Sequence, residues 1–186
     1  MPRAPHRVLA LAAALCSLVA TATVIVHETL EQMAASAPLI VRGRVARSVA
    51  GWDDQKQRIW TWTELAVSER IKGSVSGVVL MKQPGGEVGG IGQAVEGVAT
   101  FTEGEDVVVF LMPSPDEAGA WRVYGMSAGK ISLTTLGGKQ VAQRNTTGLG
   151  FAVPGGGVAP VGSIEVLGTP DAFISQLRAW VKGGAK

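Results

Sequence analysis

Five stretches of this chain carry the side-chain rhythm of β-strands, residues 39–49, 59–71, 75–83, 106–112 and 121–126, and they confine it to a mainly β fold. In the first, Leu39, Val41, Gly43, Val45 and Val49 alternate with Ile40, Arg42, Arg44 and Ser48, which predicts a half-buried strand with its odd positions inward. In the second, Ile59, Thr61, Thr63, Leu65, Val67 and Ile71 share one parity, and Lys72-Gly73 stops the strand. The fourth contains Val107-Val108-Val109-Phe110-Leu111, an unbroken apolar run expected of a strand covered on both faces. Residues 130–135 and 139–144 alternate on either side of Gly137-Gly138, which predicts a hairpin.

Short helices flank these strands. Residues 28–37 place Leu30, Met33 and Ala34 on one face, and Pro38 ends the helix because the residue before a proline is pushed out of the helical region. Near the C-terminus Thr169 is an N-cap, Pro170 a first helical residue and Asp171 a first-turn acid, while Phe173, Ile174, Leu177, Trp180 and Val181 form one apolar face. Residues 85–92 hold five glycines after Pro84, read as a loop that needs unusual backbone angles. Residues 145–168, rich in Gly and Pro, read as an extended arm over the surface, long enough to carry the closing helix far from the preceding hairpin.

The N-terminus bounds the compartment. Arg3 and Arg7 precede 19 uncharged residues, 8–26, and Ala20-Thr21-Ala22 has the small-x-small form of a signal peptidase site, so cleavage is expected after Ala22 and the protein is expected to be exported, periplasmic or secreted. An uncleaved anchor is the rival reading, and a membrane becomes a partner only in that case. Cys16 is preceded by Leu15, where lipoprotein processing wants a small residue. Its removal with the leader leaves no cysteine for disulfides or thiolate ligands. Loss of Arg3 and Arg7 from 17 basic residues balances them against 15 acidic ones, so nothing draws the mature chain to nucleic acid or to an anionic membrane.

Reactive motifs are sparse. Gly125-Met126-Ser127-Ala128-Gly129 fits G-x-S-x-G, but a nucleophile elbow needs a helix after the serine and a histidine downstream, whereas a strand-like segment follows and His27 lies far upstream. Asp53-Asp54, and Glu103 with Glu105, read as solvated turn residues, and no ligand spacing suggests a metal or a cofactor. A carboxylate pair such as Glu87 with Glu105 would have to converge in a cleft to support an enzyme. The reading is therefore non-catalytic.

The tryptophans carry more. Inward Leu65 and Val67 force Trp60 and Trp62 onto the opposite face of their strand, where they are either covered by the terminal helices or form a platform for a partner, with Trp52 from the neighbouring turn. The candidate binding residues are thus Trp52, Trp60 and Trp62.

The blocks Leu39-Ile40-Val41-Arg42-Gly43-Arg44-Val45, Arg70-Ile71-Lys72-Gly73, Phe101 with Gly104-Glu105, Val107 to Leu111, and Gly129-Lys130 resemble a group of exported bacterial proteins and, in layout, the netrin-type module of metalloproteinase inhibitors. The resemblance spans residues 28–135 and implies a small OB-like Greek-key β-barrel with peripheral helices at each end. It also implies protein binding. The inhibitors' zinc-ligating N-terminal cysteine and disulfides have no counterpart in a mature chain without cysteine, so their chemistry does not carry over. The expected organisation is a leader at 1–22, a barrel domain at 23–144, the arm at 145–168 and a closing helix at 169–186. The expected function is an exported binding or accessory domain for an exported or envelope protein, an exported protease among them. A glycan or cell-wall module using the tryptophans is the alternative, and a hydrolase the second.

Overall fold

The computed structural model describes residues 23–152, 158–159 and 162–184, so the expected leader with Cys16 lies outside the described residues. In chain order the elements are β1 (Thr23–Val26), α1 (Leu30–Ser36), β2 (Leu39–Trp52), β3 (Ile59–Lys72), β4 (Val78–Pro84), β5 (Gly86–Val88) and β6 (Ile91–Gln93). There follow β7 (Asp106–Pro113), β8 (Trp121–Val123), β9 (Lys130–Leu136), β10 (Lys139–Asn145), β11 (Leu149–Ala152), β12 (Val158–Ala159), β13 (Ile164–Val166) and α2 (Pro170–Gly183).

The main sheet runs β13-β10-β9-β7-β2-β3-β4-β8, and β8 pairs back onto β7. That return closes β2, β3, β4, β8 and β7 into a five-stranded barrel. Numbered by chain order the barrel strands lie 1-2-3-5-4, with a parallel contact between Met81 of β4 and Trp121 of β8, the arrangement of a small OB-like Greek-key barrel. One edge of β7 has two partners. Val107 to Val109 pair with β9, Leu111 to Pro113 with β8, and so β9, β10 and β13 splay away as a wing.

β7 is apolar throughout because it serves two cores. Val107, Val109 and Leu111 point into the barrel with Leu39, Val41, Leu65 and Met81. Val108 and Phe110 point outward, into a second core with Ile40, Ile131, Met33 of α1, and Phe173, Ile174 and Leu177 of α2. Both helices are capped as chemistry prefers: Thr29 and Gln32 form a reciprocal capping box on α1, and Thr169 accepts from the Ala172 N–H on α2. The Lys72 ammonium closes the other end of α1 by donating to the Ala34 and Ala35 carbonyls at 2.9 and 2.6 Å.

Several expectations need correction. Val49 is not inward: a β-bulge at Ala46 shifts the pairing from Val45↔Leu65 to Arg47↔Glu64, so Ser48 turns in to meet Thr63 Oγ1 at 3.1 Å and Val49 is 43% exposed. Bulges at Ser68 and Ile71 likewise turn Ile71 out of the barrel and against the helix layer. The glycine loop is a hairpin, β5–β6, with Gly89 and Gly90 both at positive φ in its turn. The arm is not a free crossing either. Within it β11 pairs with β1 and β12, β13 adds to β10, and Thr146 binds Ser163 through three hydrogen bonds of 3.0 to 3.1 Å. Because that clasp returns the chain to where it left, α2 begins beside the hairpin instead of far from it, with the Ala142 N–H bonded to the Gly168 carbonyl.

Candidate functional site

Strand parity places Trp60 and Trp62 on the outside of the barrel, opposite Pro84 and Lys82 of β4. Neither terminal helix reaches them, since the helices pack over Ile40, Phe110 and Ile71 at the other side. Lys82 is the organising residue. Only 9% exposed, it lies between the two indoles with Nζ 4.6 Å from the Trp60 ring centre and 5.3 Å from that of Trp62. A cation so enclosed needs an anion, and Glu117 from the 114–120 loop supplies it at 3.1 Å while accepting the Trp62 Nε1–H at 3.0 Å. The Trp62 hydrogen bond, aided by Lys82, holds the Glu117 carboxyl below the ordinary glutamate range. Arg122 of β8 lies 5.4 Å from the Trp60 ring centre and pairs with Asp116. The result is two half-buried indoles fixed by alternating charges.

Trp52 is not part of this cluster. It pairs with Ile59, so it projects to the face opposite Trp60. Its place beside Trp62 is taken by Val49, which with Arg47, Trp62 and Glu64 lines a groove of about 250 Å³. Lys82 and Glu117 were invisible to sequence reasoning, because their partners lie 20 and 55 residues from them or on a loop with no pattern. The one available signal was a lysine at an outward position of β4.

Ser127 sits in a 3-10 turn, Met126–Gly129, and a strand follows. Its N–H is committed to the Gly97 carbonyl at 2.9 Å, and its buried Oγ has no partner. It borders a polar cleft of about 390 Å³ with Lys130, Ser132, Gln143 and Asn145. Lys130 there is engaged, its ammonium 2.8 Å from the Glu105 carboxylate, 2.6 Å from the Thr100 carbonyl and over the Phe101 ring. Glu105 also accepts from Ser132 Oγ at 2.7 Å, so it is an internal ion-pair partner and not a solvated turn residue. His27, exposed, stacks edge-on against Phe151. Asp53 caps its own turn at the Gln57 N–H, Glu103 accepts from the Ser48 N–H, and Glu87, exposed on β5, does not line the cleft that Glu105 borders. Among the described residues no three His, Cys, Asp or Glu side chains gather as metal ligands, and no helix is long and apolar enough to cross a membrane. No family model matches this chain, and no curated protein matches it in sequence.

Proposed function

We propose that this chain is an exported, non-catalytic binding or accessory domain that docks an exported or envelope protein, an exported protease among the candidates, through the outer barrel face around Trp60 and Trp62. The supporting observation is that this face is left bare by both helices while its indoles are held rigid by Lys82, Glu117 and Arg122. Immobilised aromatics lose little entropy on contact, which is what makes them strong interface anchors. The netrin-type resemblance supports protein binding without supplying its mechanism. Cross-linked capture from the native envelope with the wild-type chain and with a Trp60→Ala/Trp62→Ala variant tests the reading. A partner recovered by the wild type and lost about tenfold or more by the folded variant is expected. Equal recovery by both rejects this face as the docking site.

The glycan reading keeps one observation in its favour, the hydroxyl and amide lining of the cleft beside Ser127. Its tryptophan form is weaker, because Trp52 faces away and the Trp60 ring already carries two cations. Retention on peptidoglycan that disappears in the Trp60→Ala/Trp62→Ala variant would restore it.

A further inference from the structure

The other face of the same strand opens into the barrel. Thr61 and Thr63 of β3 lie opposite Gln83 and Met81 of β4, on the inward side that continues from Leu65 and Val79. Beyond Met81 the apolar filling stops. A pocket of about 230 Å³ remains at the barrel mouth, walled by Val95, Val98, Ala99 and Phe101 and crossed by the Gly85-Gly86 backbone. That backbone can run there only as glycine: a Cβ on Gly86 would meet Thr61 Oγ1 and the Ala50 methyl.

Hydrogen-bond accounting singles out one group. Thr61 Oγ1 donates to the Gly85 carbonyl at 2.7 Å, Thr63 Oγ1 is bonded to Ser48, and Gln93 Oε1 accepts from the Ile59 N–H at 2.6 Å. Gln83 is 5% exposed and its Nε2 has no partner. Folded proteins satisfy nearly all such groups, so an orphan amide nitrogen just beneath the wall of a pocket that its own side chain lines marks where a ligand acceptor belongs. No charged side chain lines the pocket, which excludes an ionic ligand. A dry cavity of about 150 Å³ holds benzene, so this one has room for a ring bearing a small substituent.

We propose that the barrel mouth binds a small, uncharged carbonyl compound about the size of one substituted aromatic ring, its carbonyl oxygen accepting from Gln83 Nε2 as the amide turns toward the pocket and its apolar body lying against Val98, Ala99 and Phe101. This site is independent of the outer tryptophan face. Amide chemical-shift titrations of the full chain with acetophenone and with α-methylstyrene, which has the same shape but C=CH2 in place of C=O, test it. Acetophenone is expected to shift the amides of Thr61, Gln83 and Phe101 saturably, with a Kd about tenfold below that of α-methylstyrene. Gln83→Met should bring the two ligands level while the unliganded variant melts no lower than wild type, because the orphan is gone. Val98→Trp, which fills the pocket from its rim, should abolish both titrations with the rest of the spectrum unchanged, and it decides the matter even if Gln83→Met fails to fold. Equal affinities in the wild type, shifts confined to other surfaces, or no saturable shift overturns the proposal.

Discussion

The outside of the barrel is finished in two different ways. Around Ile40, Val108 and Phe110 it is apolar and roofed by α1 and α2, and these residues are fully buried. Around Trp60 and Trp62 it has no roof, and the indoles are tied down by salt-bridged cations. The first solution stabilises the fold by removing apolar area from water. The second leaves part of two indoles at the surface and spends ion pairs on holding them still, which serves recognition better than stability. The same strand, β3, takes part in both, with Ile71 at its roofed end and Trp60 at its open end.

Substitutions on each side test that contrast. Phe110→Ala, under the helices, should cost about 3–5 kcal/mol in urea denaturation through the cavity it leaves. Trp62→Ala, on the open side, should cost only about 1–2 kcal/mol, much of it from Glu117 losing its indole donor, while partner capture collapses. If Trp62→Ala destabilises as much as Phe110→Ala, the open face is a structural one. Val49→Lys, beside Trp62, should move stability by no more than about 0.5 kcal/mol, because the bulge at Ala46 has turned that side chain to solvent. A larger loss would place Val49 inside and discredit the register.

The finest test is acid titration. The folded Glu117 carboxyl is held below its ordinary value, so the stabilisation it brings is complete above the unfolded glutamate pKa and is lost as pH falls through the lower, folded value. Trp62 emission should report that step as a fluorescence change, absent in Glu117→Gln and in Trp62→Phe. A midpoint at or above the ordinary glutamate value would contradict the Trp62–Glu117 bond.

Local pattern revealed those features that local physics decides. The two-sided burial of β7, the 137–138 hairpin, the capped apolar face of α2 and the outward parity of Trp60 and Trp62 all follow from period and turn chemistry within a few residues. What stayed hidden depends on residues distant in sequence. A bulge leaves no composition mark, so strand period alone puts Val49 and Ile71 on the wrong face. Glu105 looked like a turn residue because its partners, Lys130 and Ser132, arrive from β9. Gly- and Pro-rich composition suggested a bare arm at 145–168, yet pairing with β1 and β10 gave its segments strand geometry. The candidate site was half legible: its indoles could be aimed, but Lys82 and Glu117, which hold them, could not be foreseen.

β7 carries a last consequence. Because alternate side chains of one strand fill the barrel and the helix layer, neither compartment can loosen without dragging on the other, and the two should melt as a single cooperative unit. Amide hydrogens from Val107 to Leu111 are then expected to exchange with deuterium last of all, at the rate of global opening.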